Sequence, residues 1–215
     1  MRISLLCSSE SHPVNSHLEE WIRRNDGKHD IALVRRKQEL PGGDVLFLVS
    51  CGEIITLDDR GMYRACLVLH ASDLPCGRGW NPHIWQIIEG ARQITVSLLE
   101  AENRVDSGRI WKQLSVPIPK GALWDEINQL IFDAEMKLID FALSDFESIQ
   151  PRQQDVNIEP SYYRLRTPDD SRINPEESIS SQFDLLRVCD PKRYPAFFDL
   201  HGHRYKLILE KIHDQ

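Results

Sequence analysis

The chain has 215 residues, 41% hydrophobic and 27% charged, the size and balance of one globular domain with at most a small appendage. Its net charge of −7 argues against a broad nucleic-acid footprint, and so against a tRNA substrate, because phosphate binding needs clustered cations. A small anionic ligand, which one or two arginines can hold, remains compatible, whereas a membrane span of ~20 apolar residues is excluded.

Short apolar runs bounded by turn residues predict early strands at Arg2–Cys7, His29–Val34, Asp44–Val49 and Ala65–Ala71. Runs such as VLFLV and ACLVL suit strands buried on both faces, the habit of parallel sheets. Asn15–Asn25 reads as a helix with Leu18, Trp21 and Ile22 inward, whereas Cys51–Tyr63 is too short for a full crossover helix with its loops. Asn81 as cap, Pro82 in the first turn and Gly90 as stop predict the next helix. Ile94–Glu100 and Arg109–Ile118 follow as strands. Trp124, Ile127, Leu130, Ile131, Ala134, Leu138, Phe141 and Ala142 then recur at helical spacing, marking a long helix whose stripe is core or the contact of a homodimer.

Composition shifts after Gln150 to a polar, proline-containing stretch without a period. A helix over Ser178–Val188 and a hairpin of Ala196–Leu200 with His203–Leu209 across Gly202 are expected to close the chain, with His201 and His203 as turn residues. The order of elements predicts an α/β fold, Rossmann-like and doubly wound, with a mainly parallel sheet. Residues 1–150 are the expected catalytic domain and residues 151–215 a loop-rich C-terminal appendage packed on it. Five cysteines (Cys7, Cys51, Cys66, Cys76, Cys189), odd in number and without a C-x-x-C pair, point with the lack of a signal peptide to reduced thiols and a cytoplasmic protein. Neither paired cysteines nor an H-E-x-x-H supplies a zinc site, and no metal is expected.

Chemistry concentrates between His70 and Asp106. His70 falls at a strand end, where open α/β sheets bind ligands, and faces the same way as Val68. An imidazole there suits removal of a proton from an attacking amine. Asp106, in an Asp-Ser-Gly loop between two β segments, can orient that imidazole and favour its charged form. Alone, each has a plain structural role: a hydrogen-bonded histidine, and a turn aspartate.

The ordered set His70-x-Ser72-x-Leu74-Pro75, Arg78-Gly79-x-x-Pro82 and Asp106-Ser107-Gly108 resembles the signature of folate-dependent N-formyltransferases. The likeness is strongest over Leu69–Trp111. It extends more weakly to Arg164-x-Arg166-Thr-Pro168-x-Asp170 and to Leu186-Arg187 with Tyr194-Pro195-Ala196-Phe197, which resemble tail motifs of sugar-nucleotide N-formyltransferases. The nearest group acts on UDP-linked 4-amino sugars of the pseudaminic-acid pathway, a step toward surface polysaccharide. The resemblance implies transfer of formyl from 10-formyltetrahydrofolate to the amine of such a sugar, with His70 as general base and Asp106 assisting. Other amine acceptors (peptidyl amine, glycinamide ribotide) and a folate-binding protein without catalysis are the alternatives.

By the same resemblance the pterin lies against Ser50–Ile55 and Ala101–Asp106, with Ile54, Leu99, Ala101, Glu102, Val105 and Asp106 in contact. The acceptor is expected against Arg78, Gly79 and Trp80, and against Arg164 or Arg166, whose forks suit diphosphate. One departure stands out. The family carries an asparagine two residues before its histidine, to polarise the formyl carbonyl, and this chain has Val68. Asn81 and Asn103 are the candidates by location to replace it, with Asn81 also read as a helix cap; protonated His70 or a backbone N–H are the other means.

Overall fold

A computed structural model describes residues 1–212 of the chain. Its centre is a six-stranded sheet in the order β2-β1-β3-β4-β6-β7, formed by β1 (Arg2–Leu6), β2 (Asp30–Val34), β3 (Gly43–Leu48), β4 (Tyr63–His70), β6 (Gln93–Glu100) and β7 (Ile110–Pro117). The first four run parallel; β6 is antiparallel to β4, and β7 to β6. The fold is thus α/β, with a mostly parallel sheet of Rossmann-like type. Alternation explains why the central strands are apolar throughout. Val45 and Phe47 of β3 join one core, and Leu46 and Leu48 join another on the opposite face.

The larger core lies under α1 (Asn15–Asn25) and α4 (Trp124–Ser144). Leu18 and Trp21 of α1 and Ile127, Ile131, Leu138 and Ala142 of α4 are buried there at helical spacing. Trp21 Nε1 donates to Asp140 Oδ1 at 2.6 Å, tying the two helices together. α2 (Leu57–Gly61) is a single turn, capped by Thr56, in the segment too short for a crossover helix.

Two expectations need correction. Asn81 does not cap α3 (Pro82–Ile88) through its side chain, because its backbone is left-handed (φ 48°, ψ 45°) and not in the extended conformation of a capping residue. The helix expected over Ser178–Val188 shrinks to α5 (Phe183–Leu186). Ahead of Phe183 the chain is held by side-chain bonds instead of a helical ladder, with Ser178 Oγ accepting the Ser181 N–H and Gln182 Nε2 donating to the Asn174 carbonyl.

The tail contributes a hairpin of β9 (Ala196–Leu200) and β10 (His203–Leu207), as the pattern around Gly202 predicts. It also contributes β8 (Tyr162–Tyr163), which pairs in parallel with β5 (Arg78–Gly79). This second pairing has no sequence signature. It brings the tail to the carboxyl end of β4. Among the described residues no helix is long and apolar enough to cross a membrane.

Candidate active site

β4 ends at His70, whose side chain is 7% exposed. The ring is fixed at both nitrogens. Nε2 lies 2.9 Å from the Gly77 carbonyl oxygen, and since a carbonyl only accepts, Nε2 carries the proton. Nδ1 faces Asp106 Oδ1 at 3.7 Å. In the neutral form of the ring this leaves Nδ1 as the nitrogen that faces the carboxylate. Gly77 is supplied by the turn that follows the cis Leu74–Pro75 bond.

Asp106 comes from the β6–β7 connection, which folds back over the end of β4. Its side chain is 6% exposed, and Oδ2 accepts the Gly79 N–H at 2.8 Å. Its backbone is left-handed at φ 53°, a conformation Asp tolerates better than most residues. Gly79 in turn has φ 96°, and a Cβ there would overlap the Tyr163 carbonyl of β8. Glycine is needed at that point for β5 and β8 to approach.

The pair borders a cavity of about 460 Å³ at the carboxyl ends of β3 and β4. Its lining includes Ser50–Ile55, Val68, Ala101–Asn103, Val105 and Asp106, and also His12, His83, Glu135, Arg166 and Tyr194. Ile54 at 80% and Val105 at 60% exposure are apolar lining side chains left uncovered. Backbone groups beside uncovered apolar side chains suit a flat, hydrogen-bonding ring.

Of the residues named from sequence, the structure brings His70, Asp106, Asn81, Ile54, Ala101, Glu102, Val105, Gly79, Trp80 and Arg166 to this one cavity. Three lie elsewhere. Leu99 is fully buried in a cluster with Leu74 and Ile110. Arg78 is 5% exposed and turns away to Gln154 Oε1 and Tyr162 Oη. Arg164 Nη1 donates to Asp170 Oδ2 at 2.7 Å while its guanidinium lies 4.8 Å over the Trp85 ring. Asn81 is exposed, makes no capping bond and lines the cavity, so its carboxamide is available. Asn103 is also there, with Oδ1 accepting from Arg60 Nη2 at 2.6 Å.

Sequence reasoning missed His12, His83 and Glu135, which also line the cavity. Burial, reinforced by Arg193, pushes His12 down to about 4. Burial, with His12, His70 and Arg166 nearby, pushes His83 down to about 3. Both rings are neutral at physiological pH. Burial alone pushes the Glu135 carboxyl up to about 8, and its Oε2 has no partner. Glu135 did carry a signal: it interrupts the inward stripe of α4 between Ile131 and Leu138. No three His, Cys, Asp or Glu residues among those described are grouped to hold a metal ion, and all five cysteines are free thiols.

Comparison with known proteins places this geometry. A methionyl-tRNA formyltransferase from Protochlamydia amoebophila is 27% identical over 190 residues, covering 85% of this chain and 57% of the relative. The chain thus spans little more than half the length of the curated relatives it matches. Among solved structures, a methionyl-tRNA formyltransferase from Clostridium thermocellum superposes with a TM-score of 0.84 at 20% identity, over 99% of this chain and 94% of that one. HypX from Aquifex aeolicus, in complex with tetrahydrofolic acid, gives 0.78 at 19% identity over 97% of this chain and 37% of that one. A sugar N-formyltransferase from Shewanella sp. gives 0.72 at 17% identity over 100% and 99%. The formyl transferase family model matches residues 4–143, which contain His70, Asp106 and all of the six-stranded sheet but the start of β1. With that match over more than half its length, the chain belongs to the formyl transferase family.

Proposed function

We propose that the protein is a folate-dependent N-formyltransferase that takes formyl from 10-formyltetrahydrofolate and gives it to the amine of a nucleotide-linked 4-amino-4,6-dideoxy sugar. The observation that carries the reading is the buried pair of His70 Nδ1 and Asp106 Oδ1, 3.7 Å apart on the cavity wall. The folate supplies an activated formyl group. Ser50–Ile55, Ala101–Asn103, Val105 and Asp106 line the cavity and would hold its pterin, with backbone groups for its polar edge and Ile54 and Val105 as apolar surface for its ring.

His70 acts through Nδ1, because Nε2 is committed to the Gly77 carbonyl. As the amine nitrogen bonds the formyl carbon, Nδ1 takes its proton and the Asp106 carboxylate stabilises the imidazolium. The bond from that carbon to the donor nitrogen breaks, and Nδ1 returns the proton to the departing nitrogen. Asn81, in place of the asparagine that Val68 replaces, holds the charge that develops on the formyl oxygen; such a donor contributes on the order of 10²–10³ in rate.

The sugar reading is supported by the tail motifs, by Arg166 and Trp80 at the cavity, and by a net charge of −7 that disfavours tRNA. Methionyl-tRNA is the second reading, favoured by the names of the sequence relatives. Incubation with 10-formyltetrahydrofolate and a panel of UDP- and dTDP-amino sugars, methionyl-tRNA and glycinamide ribotide, followed by mass, separates them. A formamido sugar is expected. Turnover of methionyl-tRNA with none of the sugars would sink the sugar reading, and turnover of nothing would sink the catalytic one.

A further inference from the structure

The hydrogen bonds that shape the Asp106 loop lead out of the region matched by the family model and into the tail. Gln154 is 8% exposed, and both ends of its carboxamide are engaged. Nε2 donates to the Asp106 carbonyl at 2.8 Å and to the Gly108 carbonyl at 2.9 Å, while Oε1 accepts from Arg78 Nη2 at 2.6 Å. These bonds fall on a stretch with little freedom of its own. Asp106 is left-handed, and Gly108 lies so close to the Glu100 carbonyl that no Cβ fits.

We propose that Gln154 is a positioning residue for formyl transfer, which holds the Asp106 turn by its two carbonyls and so keeps the Asp106 carboxylate facing His70. The inference rests on reading His70 and Asp106 as the proton-handling pair. One amide bonded to carbonyls on both sides of Ser107 fixes the directions of both peptides. Rotation of Asp106 toward the ordinary helical region breaks one of these bonds and leaves a buried polar group unpaired. The carboxylate is held independently by the Gly79 N–H, whose strand β5 is paired to β8 of the same tail. The tail therefore grips the catalytic loop at its backbone through Gln154 and supports the strand that holds its side chain. A displacement of about 1 Å at such a pair is enough to cost roughly 10²-fold in rate.

The test uses the full chain labelled with 15N-histidine, with His70→Asn to assign the His70 ring nitrogens. Gln154→Met is near-isosteric but donates no hydrogen bond; Gln154→Glu keeps an acceptor for Arg78 and removes the amide donor. In both, the His70 nitrogen resonances are expected to move in the direction produced by Asp106→Asn, while those of His201 and His203 stay in place. With the amine that the acceptor panel identifies, kcat falls about ten- to hundredfold, a larger factor than the rise in KM for 10-formyltetrahydrofolate. A folded variant with wild-type His70 resonances and wild-type kcat overturns the proposal, and if Gln154→Met fails to fold, Gln154→Glu decides. If Asp106→Asn leaves the His70 resonances unmoved, the pair reading falls and the positioning role with it. If no amine is turned over, the acceptor reading fails, but the resonances still decide the role of Gln154.

Discussion

At the scale of single residues, the tautomer of His70 decides which ring nitrogen is free for the proposed transfer. The Gly77 carbonyl accepts from Nε2, so the basic nitrogen points at Asp106. His70→Ala is expected to lower kcat by about 10³-fold or more, and Asp106→Asn by about 10²–10⁴-fold, each a larger factor than the change in KM for the folate. Either variant at full rate in the formyl-transfer assay removes the assignment. Asn81 offers a cleaner separation of stability from chemistry. Its left-handed backbone favours glycine, so Asn81→Gly should keep or raise the melting temperature while kcat drops about 10²–10³-fold. Undiminished turnover in Asn81→Gly would assign the oxyanion donor elsewhere.

At the scale of elements, the site depends on two short strands that pair across 84 residues of sequence. Gly79→Ala would drive a methyl group into the Tyr163 carbonyl at a left-handed position. The expected outcome is a loss of at least ~1–2 kcal/mol, faster proteolytic cleavage between residues 151 and 166, and reduced turnover. Equal cleavage rates for variant and wild type would show that the β5–β8 pairing does not hold the tail. By contrast, Trp21→Phe removes the bond to Asp140 that joins α1 and α4, far from the chemistry. It should cost about 1–2 kcal/mol in denaturant unfolding and leave kcat unchanged.

At the scale of the whole molecule, the buried Glu135 couples stability to pH. Its carboxyl is raised from the usual 4.5 to about 8 by burial, so between these values the folded chain holds a proton that the unfolded chain has released. Stability falls as pH climbs through that window and then levels off. Glu135→Gln abolishes the linkage. The variant should match wild type in Tm near pH 4 and exceed it by on the order of 5 °C at pH 8 and above. A gap that does not change with pH would place Glu135 in contact with water or a cation.

Much of this was legible in the sequence, for a physical reason. Burial repeats with the geometry of an element, so the period of apolar residues marked the parallel strands and the helix of Trp124–Ser144, and the motif order picked out His70 and Asp106. The chain alone also showed that Val68 cannot donate the hydrogen bond that an asparagine would. Only the tertiary structure decided the rest. The His70 tautomer, the freedom of Asn81 from its capping role, the turning away of Arg78 and Arg164, and the grip of Gln154 on the Asp106 loop all depend on partners distant in sequence. Such hydrogen bonds leave no period behind. A glutamine that bridges two carbonyls of a distant turn and one that faces solvent are written alike until the chain has folded.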